Sequence, residues 1–240
     1  VLGLQGPQGA GKSTAAAALV DAALDDGRRA VTVSIDDFYL TYADQRALAE
    51  RHPGNPYLLY RGYPGTHDVA LGARVVDELA TFNGTTGASE VIVPSYDKSA
   101  NAGRGDRAPE SRWRRLAGPF DLVIVEGWML GFAPVDEGAL DPDLVAPNRY
   151  LATYRAWNTR LDALVHLATD SLDTIVEWRV ESERARRERG ETALSDDDAR
   201  DYIRRFLPAY RVYVPALRAN PPCADFQILK LGPDRNVLSS

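Results

Sequence analysis

The sequence predicts an α/β fold, with one mostly parallel sheet flanked by helices. Three observations carry that expectation. Short apolar runs alternate with helical stretches along the chain. Two of the runs, 30–35 (Ala-Val-Thr-Val-Ser-Ile) and 121–125 (Asp-Leu-Val-Ile-Val), are nearly continuous in apolar and β-branched residues, as parallel strands covered on both faces are. The unusual loops follow such runs, which is where ligands bind in open parallel sheets. No repeat or low-complexity tract divides the 240 residues, so a single domain over 1–240 is expected.

Composition narrows the function classes. Lys and Arg number 28 against 34 Asp and Glu, a net charge of −6. That balance argues against a protein built to hold nucleic acid or an anionic membrane surface. No apolar run approaches a transmembrane helix in length. One cysteine, Cys223, allows no internal disulfide and fits a reducing compartment. The expected location is cytoplasmic, or organellar if a targeting segment precedes Val1.

In chain order, Val1 to Gln5 is a first strand. Gly6-Pro7-Gln8-Gly9-Ala10-Gly11-Lys12-Ser13-Thr14 follows it directly, filling the spacing G-x-x-x-x-G-K-S from Gly6 to Ser13, and 14–24 continues as a helix. A glycine-rich turn before an alanine-rich helix is the plain alternative. Lys and Ser at these two places, between a strand and a helix, favour a phosphate loop. Its glycines let backbone N–H groups turn inward to phosphate oxygens, and Lys12 reaches the β- and γ-phosphates. Ser13 offers a hydroxyl to Mg²⁺. Gly6, Gly9, Ala10, Gly11, Lys12, Ser13 and Thr14 are therefore the candidate residues for ATP.

The second strand, 29–35, ends in Asp36-Asp37-Phe38-Tyr39. Asp36 at that strand end is placed to take the proton of a substrate hydroxyl attacking the γ-phosphorus. Asp37 and Tyr39 are candidate substrate contacts, and a capping or turn role is the alternative for both aspartates. A helix is expected over 42–50, then a long ordered loop, 51–68, carrying Arg61, His67 and Asp68 as substrate candidates. A helix over 69–82, a turn over 83–89 and a short strand over 90–94 come next.

A second long loop, 95–115, has six Lys and Arg from Lys98 onward against Asp106 and Glu110, a balance of +4. Glycines 103 and 105 among its arginines suggest a loop closing on an anion, so Tyr96, Lys98, Arg104 and Arg107 join the substrate set. A solvated charged face is the alternative. The strand 121–125 ends in Glu126, the expected second partner of Mg²⁺ beside Ser13.

A core helix is expected over 149–163 and a strand over 164–168. The stretch 173–191 holds five arginines and five glutamates and reads as a helix polar on all sides. Arg179, Glu183 and Arg187 share one face by i, i+4 spacing. With about 173–194 acting as a helical lid, Arg179 and Arg187 would close on the triphosphate, Arg179 neutralising charge in the transition state. Ser195 and three aspartates start another helix. The apolar stripe from Ile203 to Leu217 is expected to kink at Pro208, and 226–231 is a last strand.

Several long motifs together resemble the plant-type D-glycerate 3-kinases. They are the phosphate loop, 34–41 (Ser-Ile-Asp-Asp-Phe-Tyr-Leu-Thr), Gly54-Asn55-Pro56 through Arg61-Gly62, and Gly65-Thr66-His67-Asp68. Tyr96-Asp97-Lys98-Ser99 with 103–107, Glu126-Gly127-Trp128 through Phe132, and Phe206-Leu207-Pro208-Ala209-Tyr210 complete the set. The resemblance covers nearly the whole chain. It extends to a fungal branch of ATP-binding kinases and, more distantly, to uridine kinase, phosphoribulokinase and bacterial pantothenate kinase. It implies a P-loop kinase fold with a lid, Asp36 as catalytic base, Glu126 on the Mg²⁺ side, and a small hydroxy acid as substrate, most simply D-glycerate. Two places depart from the plant pattern: Tyr63-Pro64 stands where those enzymes usually have Asn-Ala, and Ser95 where they tend to have Arg. A nucleoside or pantothenate-like alcohol remains the alternative acceptor, and a P-loop ATPase that switches a partner the alternative class. Oligomeric state is not legible.

Overall fold

The computed structural model describes residues 1–82 and 90–238; the turn expected over 83–89 lies outside the described residues. Strand β1 (Leu2–Gln5) leads into helix α1 (Lys12–Asp25) and returns as β2 (Ala30–Ser34). Helices α2 (Tyr42–Arg51) and α3 (Val69–Thr81) follow, then β3 (Val91–Val93), β4 (Tyr96–Asp97), β5 (Asp106–Arg107), β6 (Arg114–Leu116) and β7 (Leu122–Gly127). The chain ends with α4 (Pro142–Asn158), β8 (Ala163–Ala168), α5 (Leu172–Glu188), α6 (Asp196–Arg204), α7 (Leu207–Ala219) and β9 (Asp225–Lys230).

The main sheet has five parallel strands in the order β2-β7-β1-β8-β9. From β1 the chain moves outward to β2, fills the gap with β7, and then builds on the other side with β8. The loop after β1 thus sits where strand order reverses, the usual ligand crevice of such sheets. Register aligns the strand ends: Gln5 lies opposite both Gly127 and His166, and Ser34 opposite Glu126. Residues just past these four strand ends are neighbours in space.

The inner strands alternate their side chains between two cores, as the pleat requires, while the edge strand β9 is largely exposed. On β7, Val123 and Val125 enter the larger core with Phe38, Val75, Trp157 and Phe206, while Ile124 enters the smaller one with Leu4, Ala16 and Trp178. Helices therefore cover both faces. Among the described residues no helix is long and apolar enough to cross a membrane.

Five expectations are corrected. The strand expected over 90–94 stands off the main sheet, pairing antiparallel with β6. The loop 95–115 carries β4 and β5 as a hairpin, Tyr96 opposite Arg107, because its glycines supply the turn. Helix α4 begins earlier than 149, at an Asp141 cap followed by Pro142. The stripe kinked at Pro208 is two helices, α6 and α7, with the proline in the first turn of the second. Helix α5 is not polar on all sides: it buries Ile175, Trp178, Val180 and Glu183.

Candidate active site

The phosphate loop is shaped by what its glycines touch. A Cβ on Gly6 would lie 3.0 Å from the Leu167 carbonyl oxygen. Gly9 has φ +82°, and a Cβ there would lie 2.7 Å from the Trp178 carbonyl carbon, so only glycine fits this left-handed, crowded position. Gly11 caps α1 with no side chain to accept from the first turn, and no acidic residue follows, so the N–H groups of that turn are open to an anion. Ala10 is buried in the loop and Thr14 is exposed in the first turn. Lys12 Nζ donates to the Pro7 carbonyl at 3.0 Å, folded over its own loop. Burial lowers the Lys12 pKa, with Glu126 and Asp36 opposing that. Ser13 Oγ donates to Glu126 Oε1 at 3.0 Å. These two oxygens fit the protein share of a Mg²⁺ site, which normally takes one or two protein ligands and completes itself with phosphate and water.

Beyond β2 the chain makes a 3₁₀ turn, Ile35–Phe38, which separates the two aspartates. Asp37 Oδ2 accepts from the Ser34 N–H at 3.1 Å and from Arg114 Nη2 at 3.0 Å. Its carboxylate is committed to closing the turn and pinning β6, not turned to a substrate as its candidate role required. Burial raises the Asp37 pKa, and Arg114 opposes it. Asp36 is different. Lys98 Nζ lies 2.6 Å from its Oδ2. Burial pushes the Asp36 pKa up, but the Lys98 charge and hydrogen bond outweigh it and hold the carboxyl at about 2. The same contact, against burial, raises the Lys98 pKa. Lys12, Asp36, Glu126, Lys98 and Arg179 form one electrostatic neighbourhood.

The two long loops are tied together by the residues that sequence reading proposed for substrate. Arg107 Nη2 donates to the Tyr39 carbonyl at 3.1 Å and to Asp68 at 3.2 Å, while Asp68 also caps α3 through the Leu71 N–H. Arg61 donates to the carbonyls of Gly103 at 3.0 Å, Lys98 at 3.3 Å and Arg104, and lies over the Tyr96 ring. Asp68, Arg107 and Arg61 thus position the loops. Tyr39 is buried, its ring stacked on His67 with Tyr96 at its edge. His67 Nδ1 meets Tyr154 Oη at 2.8 Å, and burial holds its pKa down at about 3, so the ring is neutral at working pH. His67 Nε2 is buried without a partner among the described residues. Arg104 is exposed, over the Tyr60 ring.

The two lid arginines separate. Arg179 pairs with Glu183, lies over the Tyr202 ring and is felt by Lys12. Arg187 is taken up instead by the Leu194 carbonyl and by Asp196, so the shared face inferred from i, i+4 spacing does not deliver it to the loop.

Sequence reading missed four residues at this site. Arg235, in the turn after β9, donates to the Gly9 carbonyl at 2.7 Å and the Trp178 carbonyl at 3.3 Å, and pairs with Glu181 at 2.8 Å. Its signal was available, since the turn Gly232-Pro233-Asp234-Arg235 follows a strand at the ligand end of the sheet. Tyr210 Oη accepts from the Gln8 N–H at 3.3 Å. Tyr202 and Arg205, at the end of α6, face the two long loops. Tyr210 lies in the 206–210 motif, which had given it no site role, and no motif marks Tyr202 or Arg205.

No family model matches the chain. Individual proteins do. The chain is 39% identical over 226 residues to the chloroplastic D-glycerate 3-kinase of Arabidopsis thaliana, covering 92% of this chain and 49% of that protein. It thus spans about half the length of the plant relative. It is 37% identical over 243 residues to the uncharacterized kinase mug58 of Schizosaccharomyces pombe, covering 94% of this chain and 86% of that protein. The solved structure of a D-glycerate 3-kinase from Cryptococcus neoformans superposes with a TM-score of 0.89 at 28% identity, over 99% of this chain and 87% of that one.

Proposed function

The chain belongs to the D-glycerate 3-kinase family of P-loop kinases, and from that premise we propose that it transfers the γ-phosphate of ATP to the hydroxyl of a small hydroxy acid, D-glycerate giving 3-phosphoglycerate. One observation carries the reading: a carboxylate, Asp36, stands in one electrostatic neighbourhood with the phosphate-loop Lys12 and the Ser13–Glu126 pair. A carboxylate so placed can accept the proton of an alcohol acceptor as it attacks the γ-phosphorus.

In this mechanism the open N–H groups at the start of α1, with Lys12 and Arg179, hold the triphosphate. Ser13 and Glu126 would hold Mg²⁺, which would supply positive charge to offset the negative charge of the triphosphate. The acceptor oxygen bonds to the γ-phosphorus, the bond to the β–γ bridging oxygen breaks, and the hydroxyl proton passes to Asp36. A loose transition state releases that proton late, so a weakly basic carboxylate suffices. Lys98, already on Asp36, is placed to meet the incoming phosphoryl or acid group.

The test is ADP release from the purified protein over a panel of hydroxy acids, nucleosides and pantothenate. D-glycerate is the expected acceptor. Asp36→Asn should retain ATP binding and lose transfer by about 10²- to 10⁴-fold. Turnover with a nucleoside alone would overturn the acceptor assignment. Hydrolysis indifferent to every alcohol would overturn the kinase reading.

A further inference from the structure

Between the two long loops and the end of α6 lies a cavity of about 310 Å³, lined by Tyr60, Arg61, Arg104, Tyr202, Arg205 and the backbone of 102–103. Three guanidinium groups share it. None of the three has a carboxylate within ion-pair distance among the described residues, whereas Arg107, Arg114, Arg179 and Arg184 each hold one. In a chain of net charge −6, three cations gathered without a counter-charge repel one another, and an anion between them would relieve that.

Arg205 is the most defined of the three. Its guanidinium lies 5.0 Å from the Tyr202 ring centre, 5.7 Å from Phe206 and 5.8 Å from Tyr60. Its backbone is fixed from the first long loop, where the Tyr63 hydroxyl donates to the Arg205 carbonyl. Arg205 Nε is buried with no hydrogen-bond partner among the described residues. A flat, weakly hydrated cation held among rings keeps its N–H edge for a planar anion, and a carboxylate fits that edge with two bonds.

The cavity is joined to the chemistry through one residue, Lys98. Arg61 grips the Lys98 carbonyl, and the Lys98 ammonium reaches Asp36. Lys98 therefore links a residue of the cavity wall, Arg61, to the proposed base. We infer that this cavity receives the carboxylate of the acceptor, with Arg205 selecting a hydroxy acid over a neutral alcohol. The inference rests on the proposed transfer beside Asp36 and adds the group that orients the acceptor for it.

The experiment separates binding from turnover. D-lactate has the acid end of D-glycerate without its terminal hydroxyl, so it reports the cavity alone. Calorimetric titration should show D-lactate binding to the wild type, weakened at least tenfold in Arg205→Gln and unchanged in Arg28→Gln, an exposed arginine elsewhere. In turnover, Arg205→Gln should raise the D-glycerate KM at least tenfold, leave the ATP KM unaltered, and reduce the preference for D-glycerate over its amide. Arg205→Lys should recover only part of the loss, because the flat stacked group is gone. Should Arg205→Gln not fold, Arg104→Gln carries the test, with a smaller change in the same direction. D-lactate binding that is absent in the wild type, or equal in wild type and Arg205→Gln, overturns the inference even if D-glycerate is turned over. Arg205-dependent D-lactate binding in a protein that phosphorylates no hydroxy acid supports the cavity and overturns the acceptor assigned above.

Discussion

Asp36 is kept ionised by one neighbour. Burial alone would raise its pKa, and the Lys98 ammonium at 2.6 Å reverses that to about 2. The folded value is below the ordinary 3.8, so the carboxylate form is the favoured one at every pH above about 2. Asp36 should therefore contribute no acid limb to kcat/KM between pH 8 and 4. Lys98→Met removes the opposing charge and leaves burial in command, so the limb should rise to pH 4 or above. A kcat/KM profile from pH 4 to 8 reads it, and superimposable profile shapes would show that Lys98 does not set the protonation of Asp36. How far such residues were legible depends on what fixes them. Asp36 and Glu126 could be found because each follows an apolar run, and a strand end has only one place to be in a parallel sheet. Asp37, one residue on, could not be told from Asp36 until the 3₁₀ turn separated them. Arg205 is set among aromatic rings from the first long loop and from the α6–α7 junction, nearly 150 residues apart in the chain, and no local pattern encodes that meeting.

At the scale of elements, the phosphate loop and α5 depend on one contact. The Trp178 side chain is buried in the smaller core, and its backbone lies against Gly9, with Arg235 bonding both carbonyls. Gly9 and Gly11 share a left-handed φ, +82° and +87°, but a Cβ on Gly11 would meet nothing closer than 4.0 Å. Backbone strain alone should make Gly11→Ala cost about 1–2 kcal/mol. Gly9→Ala adds a clash with fixed backbone, a further ~1–3 kcal/mol, and should weaken ATP binding at least tenfold by displacing the loop. Thermal unfolding and ATP titration of the two variants, side by side, check the difference. Equal losses would mean that the loop does not lean on α5. The pairing of loop and helix explains why α5 misled the sequence reading. Its arginines and glutamates dominate the composition, yet Ile175, Trp178 and Val180 are enough to seat it. The turn-rich 95–115 misled in the opposite way, since β4 and β5 are two residues each, too short for any period to register.

For the whole molecule, the five-strand register gathers Gly6, Asp36 and Glu126 at one edge, and what remains is how the site closes. The sequence suggested a lid over about 173–194. Burial divides that segment. Up to Glu183 the helix is seated, with Trp178 1%, Val180 0% and Glu183 1% exposed, and α6 is seated again by Ala199 and Ile203, both at 0%. Between them, 184–195 carries largely exposed ion pairs, Arg184 and Arg187 to Asp196 and Arg189 to Glu191. It is tied back to the seated helix through Glu183, which accepts from Arg186 and the Leu194 N–H. Exposed pairs are worth roughly 0–1 kcal/mol each, so they can be exchanged for phosphate oxygens at little cost, while moving Trp178 would expose a core side chain. The lid we propose is therefore the shorter one, 184–195, hinged where burial ends. Amide hydrogen exchange gives the test. Without ligands, 184–195 should exchange fast and 172–183 slowly. With a non-hydrolysable ATP analogue and D-glycerate, protection should rise over 184–195 and stay level over 172–183. Equal gains across both halves would mean that the helix moves as one body, and that the contact between Trp178 and Gly9 breaks on every turnover.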